Sequence, residues 1–276
     1  MVRLGALAVG LFFVIAVLWG AVQPREPVAI DPVKAVVQHP TEIEWTHRGP
    51  GQLNILGTFD RKQLQRGLQV YREICSACHS IHRIAFRDLA DLGFSPAEIK
   101  AIAVSYDIPS LSDTGEPTTR KGTPADKFPL IYPNEQAARA AQNGALPPDL
   151  SLITKAREDG SNYVHSLLLG YRDDVPKTLK APDGLYYNPW FRSAFIAMPP
   201  PLAADDQITY ADGTKASRDQ MARDVATFLT WTAEPKMEAR KATGVASIIF
   251  LLILTALGYL SYKKVWADIK RKPARA

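Results

Sequence analysis

The chain has 276 residues, 46% of them apolar, so it is long enough to bury a core and to carry membrane segments as well. Six Lys and Arg against one acid lie in its last fourteen residues; this tail accounts for the net charge of +5, and the remainder is close to neutral. The absence of a basic stripe excludes nucleic acid as a partner, and two cysteines separated by only two residues exclude a disulfide-rich secreted framework.

The N-terminal segment, residues 1–22, has two interpretations that stay open. Residues 4–22 carry no charge and follow Arg3. A cleavable signal sequence would have this character, but cutting after Ala21 would put Trp19 where a small residue is expected. A retained N-terminal membrane anchor fits the length equally well. In both interpretations the residues that follow are exported.

The C-terminal segment predicts a membrane anchor. Residues 243–262 are uncharged and are followed at once by two lysines, which predicts a transmembrane helix over 241–264 and a basic cytoplasmic tail over 265–276. The positive-inside rule then places residues 23–240 outside as one exported domain. The alternative, a buried core helix, rarely runs for twenty residues without a polar face.

Two amphipathic helices are predicted in the exported domain. The first lies between Asp60 and Ser80 and brings the two cysteines to its end, because its apolar residues recur at helical spacing: Leu64, Leu68, Tyr71, Ile74 and Cys75. The second begins at Ser217, which fits a capping box with Gln220, and presents one apolar face: Met221, Val225, Phe228, Leu229 and Thr232. Pro235 is expected to open the helix that leads into the membrane.

The remaining segments predict long irregular connections. Residues 105–134 and 172–215 are rich in proline and polar residues and are expected to be loops, with a short helix over Asn134–Gln142 between them. There is little β signal. The predicted fold is mainly α, with long irregular loops and a C-terminal transmembrane helix.

Cys75-Ser76-Ala77-Cys78-His79 matches the pattern C-x-x-C-H for covalent attachment of a c-type haem. Two thiols about one helical turn apart can bond to the two vinyl groups on one side of the macrocycle, and the adjacent His79 is then carried beneath the iron. A zinc site would need two further ligands, and a thioredoxin-like dithiol would be expected near a βαβ pattern. The sequence therefore predicts one covalently bound haem c, with His79 as an axial ligand.

Met198 is favoured as the second axial ligand, because His/Met ligation is usual in electron-transfer cytochromes and Met198 lies in a proline-stiffened segment. Met221 is expected to pack in the core, and Met237, between Lys236 and Glu238, is expected to be solvated. A bis-His site is the alternative, although His165 lies in an apolar run typical of a core histidine. His82 is too close to His79 to reach the opposite haem face.

From about residue 45 onward the sequence resembles the cytochrome c1 family, the haem subunits of ubiquinol–cytochrome c oxidoreductase (the cytochrome bc1 complex). The motifs that carry the resemblance occur in order along the chain: WTHRG, RGLQVYREICSACHS, AARAAQNGALPPDLSLITKAR, GLYYNPWF, AMPPPL and DVATFLTWTAEP. The resemblance implies a cytochrome c-like haem domain and Met198 as the second axial ligand. It also implies that five further residues line the haem: Asn143, Pro147, Pro148, Arg157 and Tyr163. Arg157 would otherwise be assigned to solvent, and pairing with a haem propionate suits its guanidinium.

The resemblance also implies a function. The chain would pass one electron at a time from the Rieske iron–sulfur protein to a soluble or tethered c-type cytochrome, within a dimeric complex that contains cytochrome b. It would be the haem subunit of an enzyme but perform no substrate chemistry itself. Since no Arg-rich amphipathic presequence precedes it, a bacterial inner membrane is expected, with the haem domain in the periplasm and the C-terminus in the cytoplasm.

Three rival functions are distinguishable from this one. Another anchored monohaem cytochrome, such as the electron donor of a terminal oxidase, would co-purify with oxidase subunits. A haem enzyme or gas sensor would leave the sixth position open to carbon monoxide. A membrane-tethered thiol oxidoreductase would carry no haem.

Overall fold

Two helices flank the haem-domain sequence, and each is long and apolar enough to cross a membrane. The computed structural model describes residues 2–23 and 31–270; the end of the predicted basic tail, residues 271–276, lies outside the described residues. Helix α1 covers Val2–Val22, within the segment predicted as a signal sequence or anchor. Helix α9 covers Met237–Lys270 and contains the predicted anchor. Along both helices most of the large apolar side chains are exposed.

Helices α3 (Arg61–Glu73) and α8 (Arg218–Ala233) form the centre of the core. They approach closely at Gly67, where an added Cβ would lie 2.2 Å from the carbonyl oxygen of Asp224. Beside this contact Arg66 Nε donates to the fully buried Asp224 Oδ2 at 2.9 Å. A glycine at the crossing thus lets an ion pair bridge two helices far apart in the sequence.

The predicted starts of the two amphipathic helices are confirmed. Asp60 accepts hydrogen bonds from the amides at the start of α3, and Ser217 Oγ accepts one from Gln220 N at 3.2 Å. The capping box is only half formed, however, because the Gln220 side chain donates to Asp224 Oδ1 instead. Helix α3 ends at Glu73, and a separate 3-10 turn carries the first cysteine.

Five shorter helices surround this pair: α2 (Pro32–Val36), α4 (Pro96–Val104), α5 (Glu135–Ala141), α6 (Ile153–Ala156) and α7 (Gly160–Leu169). Helix α5 confirms the short helix predicted from the sequence, and Asn134 caps it through a bond from Ala137 N at 2.8 Å. Helix α7 packs against α8 and contributes the buried residues Val164 and His165 to the core. The described residues are therefore mainly α, as predicted.

The prediction of an uninterrupted loop over residues 105–134 is wrong. Strands β1 (Asp107–Leu111) and β2 (Pro117–Lys121) form an antiparallel hairpin there, and Asp107 pairs with Lys121 at 2.8 Å. Both strands are largely exposed and carry the prolines and polar residues that are typical of loops, so the sequence indicates little β structure there. A second, two-residue pair, β3 (Tyr186–Tyr187) and β4 (Phe195–Ile196), interrupts the other predicted loop.

The anchor helix is joined tightly to the haem domain. Met237, predicted to be solvated, is instead 3% exposed in the core, because the first turn of α9 packs against the domain. Helix α9 begins two residues after Pro235. Glu238 Oε1 accepts a hydrogen bond from Phe59 N at 2.6 Å, and Lys241 Nζ donates to the carbonyl oxygens of His47 and Gly57 at 2.6 and 3.3 Å.

A candidate haem cavity

A cavity of about 560 Å³ lies between the end of α3, helices α7 and α8, and the loop before α8. Its volume is in the usual range for cofactor sites. It is lined by eight of the nine residues predicted to contact a haem: Cys75, Cys78, His79, Pro147, Pro148, Arg157, Tyr163 and Met198. Residues separated by more than 120 positions in the sequence thus meet at one site.

The two cysteines are presented by a tight turn. Helix α3 ends at Glu73, and the carbonyl of Cys75 then accepts hydrogen bonds from the amides of both Cys78 and His79, at 3.2 and 2.9 Å. Tyr71, the last buried residue of α3, donates its hydroxyl to the carbonyl of His79 at 2.9 Å. Both thiols are free and half-buried at the cavity wall. The turn therefore fixes two thiols and one imidazole on a single side of the cavity.

The orientation of the His79 ring is set by a backbone carbonyl. His79 Nδ1 donates to the carbonyl oxygen of Pro148 at 2.8 Å, which leaves Nε2 free to act as a ligand. Burial lowers the pKa of His79, which favours the neutral imidazole that binds metals. The same loop is tied to the attachment turn a second time, since Leu150 N donates to the carbonyl of Ser80 at 2.8 Å.

Met198 reaches the cavity from the loop between β4 and α8. Its carbonyl accepts a hydrogen bond from the Tyr171 hydroxyl at 3.1 Å, and burial raises the pKa of that hydroxyl, which remains a donor at all ordinary pH values. Pro199 follows directly and restricts the backbone of Met198. Sequence reasoning did not identify Tyr171, because nothing in its local pattern distinguishes it from a loop tyrosine.

The segment that leads to Met198 is braced by Asn188. This residue is fully buried. Its side-chain Nδ2 donates to the carbonyl of Leu167 at 2.8 Å, and its Oδ1 accepts from Trp190 N. Its backbone N donates to the carbonyl of Ala194. Next to it lies a small apolar cluster that joins the segment to α2: Tyr187, Ala194 and Phe195, with Val33, Val36, Val37, Val175 and Leu179 packed around them. The position of Met198 thus depends on packing that lies outside the main core.

Arg157 and Gln142 add polar groups to the lining of the cavity. Arg157 is exposed, lies over the Tyr163 ring at 6.0 Å from its centroid, and forms no ion pair within the described residues. Asn143 does not line the cavity; its neighbour Gln142 does, with Nε2 at 3.7 Å from Cys78 Sγ and 2.7 Å from the Tyr132 hydroxyl. Gln142 is a lining residue that the sequence did not single out.

The other histidines lie elsewhere. His165, as expected of a core histidine, is buried, and its Nε2 lies 2.8 Å from Asp219 Oδ1. His47 is buried beside Trp45, and His82 Nδ1 contacts the carbonyl of Phe128. None of these residues, nor His39, lines the cavity. Among the lining residues, His79 and Met198 carry the pair of side chains that ligates haem iron in cytochromes c.

These residues fit a haem. The cavity walls are mostly apolar, as a macrocycle requires, and include Leu150, Ile153, Leu167, Leu168 and Leu229. Both thiols line the cavity. The exposed guanidinium of Arg157 also lines it, forms no ion pair within the described residues and could pair with a carboxylate of the bound group. A metal held by protein ligands alone is not indicated, since the described residues contain no cluster of three or more metal-ligating side chains.

Comparison with known proteins agrees with this assignment. The model of the Cytochrome C1 family matches residues 51–269. "Cytochrome c1" of Rhodospirillum rubrum is 44% identical over 243 residues, which cover 82% of this chain and 87% of the relative. "Cytochrome c1, heme protein, mitochondrial" of Saccharomyces cerevisiae is 45% identical over 85% of this chain and 74% of its own length.

A third relative is a longer protein. "Cytochrome b/c1" of Bradyrhizobium diazoefficiens is 47% identical over 251 residues, which cover 83% of this chain but only 36% of the relative. The match therefore spans about a third of that protein's length.

Proposed function

Because the chain belongs to the cytochrome C1 family, the haem subunits of the cytochrome bc1 complex, we propose that it passes single electrons from the Rieske iron–sulfur protein to a c-type cytochrome. The observation that carries this proposal is the meeting of Cys75, Cys78, His79 and Met198 at one cavity. Their side chains supply what a permanently bound, six-coordinate haem requires: two thioether positions and two axial ligands.

In this proposal each residue has a distinct role. Cys75 and Cys78 hold one haem c covalently, and a haem so bound supplies reversible one-electron chemistry at its iron. His79, aligned by the Pro148 carbonyl, and Met198, held by the Tyr171 hydroxyl, are the axial ligands, and the methionine raises the reduction potential. Arg157 and Tyr163 would hold the haem propionates, and Pro147 and Pro148 would pack against the haem beside His79. Asn143 acts at most through its neighbour Gln142.

The chain makes and breaks no bonds during electron transfer. Its residues would exclude water from most of the cavity and fix both ligands, while Leu146 of the cavity lining is exposed at the surface. The proposed partners are cytochrome b and the Rieske subunit in a dimeric complex, with a soluble or tethered c-type cytochrome as acceptor. The subunit therefore belongs to an enzyme, while the quinol chemistry takes place elsewhere in the complex.

The proposed location is a bacterial inner membrane. Helix α9 supports membrane anchoring, and the lysines that follow it favour a cytoplasmic C-terminus and a periplasmic haem domain. Residues 23–240 would then form the exported domain and 241–264 the membrane span. Whether residues 1–22 act as a cleaved signal or as a second anchor is left open by helix α1, which has the length for either role.

Affinity purification of the tagged chain from its native membrane tests this function. We expect cytochrome b and the iron–sulfur subunit to co-purify, a haem stain to remain on the denatured chain, and added quinol to reduce its haem. Co-purification with oxidase subunits in place of cytochrome b would contradict the proposal. Loss of the stain on denaturation would contradict covalent attachment.

A further inference from the structure

An exposed apolar loop lies next to the start of the anchor helix. Residues 49–57, here called the 49–57 loop, contain three apolar side chains with large exposed fractions: Leu53 at 71%, Ile55 at 53% and Leu56 at 71%. The function proposed above gives these side chains no role. Three neighbouring apolar residues exposed together on one loop indicate an interaction surface.

The 49–57 loop has a defined backbone conformation. Its two ends touch, since an added Cβ on Gly49 would lie 2.7 Å from Gly57 N, and one on Gly57 would lie 2.2 Å from the carbonyl oxygen of His47. Asn54 N donates to the carbonyl of Arg48 at 2.8 Å and closes the loop from within. Gly49 and Gly51 both have positive φ, which a residue with a Cβ would adopt only with strain. The backbone therefore holds the three apolar side chains outward at a defined place.

Contacts with the anchor helix set the height of the loop relative to the membrane. Lys241 Nζ donates to the Gly57 carbonyl at 3.3 Å, and the uncharged stretch of the anchor starts only two residues later, at position 243. Two residues of helix correspond to about 3 Å, whereas the headgroup layer is about 5–8 Å thick on each side. The Lys241 side chain adds its own length to this separation, and Leu56, which precedes Gly57, is within reach of the lipid headgroups.

We propose that the 49–57 loop inserts Leu53, Ile55 and Leu56 into the headgroup layer of the bilayer beside the anchor. The occupant of this surface is lipid, because Lys241 joins the loop to α9 two residues before the uncharged stretch of that helix begins. Apolar side chains at the boundary between headgroups and acyl chains are the usual means by which a protein rests on a membrane. Together with α9 the loop gives a second point of contact, and two points fix the tilt of the haem domain.

The proposal rests on the membrane anchoring of α9 and not on the electron-transfer role.

A polar cavity of about 270 Å³ opens beside the loop and is lined by Arg48, Asn54, Glu234 and Met237. Most of its charged groups already form ion pairs, as Arg48 does with Asp159 at 3.8 Å and Lys155 with Glu234 at 3.6 Å; Arg157 is the exception. The cavity therefore gives a polar surface next to the apolar loop, as expected where the surface of a protein passes from lipid to water.

Fluorescence of a labelled loop tests the proposal. Leu56→Cys, labelled with an environment-sensitive fluorophore in the intact complex, is reconstituted into phosphatidylcholine vesicles with and without bromine on the acyl chains. Leu111→Cys is the matched control, since Leu111 is a leucine with 68% exposure in the β1–β2 hairpin. The hairpin follows Tyr106, and Arg72 of α3 lies over the Tyr106 ring. Arg61, at the other end of α3, pairs with Glu238 of the anchor helix. Arg72 and Arg61 are about 16 Å apart along α3.

We expect brominated lipid to quench the label at position 56 at least two-fold more than the label at position 111. Equal quenching at both positions would overturn the proposal. An unquenched label at position 56 would also overturn it, whether the emission of the fluorophore indicates a water-exposed site or contact with another subunit. Haem staining and quinol-driven reduction of the same vesicles report the proposed function separately, so failure of that function would be seen independently of the quenching result.

Discussion

At the scale of single residues, a backbone carbonyl and a tyrosine hydroxyl align the two proposed ligands. Pro148 supplies the acceptor for His79 Nδ1, and Tyr171 supplies the donor that holds the Met198 carbonyl. Neither partner is ionic, so the alignment does not change with pH in the neutral range. The sequence could predict both ligands from residue type and spacing, but not Tyr171, because hydrogen bonds between residues 27 positions apart in a loop leave no local pattern.

His47 is expected to make the stability of the domain depend on pH. Burial, with Arg48 and Lys241 nearby, lowers its pKa to about 3, whereas an unfolded chain takes up a proton near pH 6.5. Between these values the unfolded state binds more protons, so stability falls as the pH falls below about 6.5, by roughly 1.4 kcal/mol per pH unit. Replacing His47 by Asn should remove this part of the slope, as measured by thermal unfolding of the domain from pH 7 to pH 5.

The matched control is His39→Asn, because His39 is exposed and its replacement should leave the slope unchanged. His47→Asn is expected to lower stability at pH 7, since His47 Nε2 contacts Ser161 Oγ at 3.0 Å in the folded protein. A variant with the wild-type slope would show that His47 is not the group responsible.

At the scale of elements, the segment from β3 to Met198 is held by few interactions, and Asn188 makes several of them. Asn188→Ala should leave the Leu167 carbonyl and the Trp190 amide without their partner, at a cost of about 1–3 kcal/mol. The loop would then release Met198 part of the time. We expect a lower reduction potential and binding of carbon monoxide to the reduced protein, both measured by absorption spectroscopy.

Arg192→Ala serves as the control, because Arg192 is exposed in the same segment and should change neither quantity. If Asn188→Ala kept the wild-type potential and excluded carbon monoxide, the position of Met198 would have to be fixed by the Tyr171 hydrogen bond and the apolar cluster with α2.

The elements differ in how well the sequence predicts them. Helix α8 follows from a cap at Ser217 and a local apolar periodicity, both written within about sixteen residues. The β1–β2 hairpin escapes prediction because its strands are exposed and are held by a turn and the Asp107–Lys121 pair. Met237 was assigned to solvent from its charged neighbours, yet it is buried by residues far away in the sequence. Local patterns predict local structure, and long-range packing overrides them.

At the scale of the whole molecule, Lys241 couples the anchor to the haem domain. Lys241→Met removes the donor to the carbonyls of His47 and Gly57. It should therefore weaken the attachment of α9 to the domain. We expect faster hydrogen exchange across residues 46–59 and slower reduction of the haem by the iron–sulfur subunit. The reduction potential should stay the same, because Lys241 is not part of the cavity.

Lys236→Met is the matched control, since Lys236 is exposed five residues earlier and makes neither contact. A change in reduction potential with Lys241→Met would contradict this account, because it would place the effect at the haem and not at the attachment of α9. Unchanged hydrogen exchange would show that the contacts of Met237 and Glu238 are sufficient to attach α9 to the domain without the lysine.

The ligation of the haem on both faces is the central claim, and a redox titration of Met198→Leu tests it most directly. The control is Met221→Leu, at a fully buried methionine in the core of α8 outside the cavity. We predict that Met198→Leu lowers the reduction potential by on the order of 0.1 V or more, within the roughly 0.8 V range that axial ligands span, while Met221→Leu leaves it nearly unchanged. An unchanged potential in Met198→Leu would contradict the account and assign the second ligand to another residue.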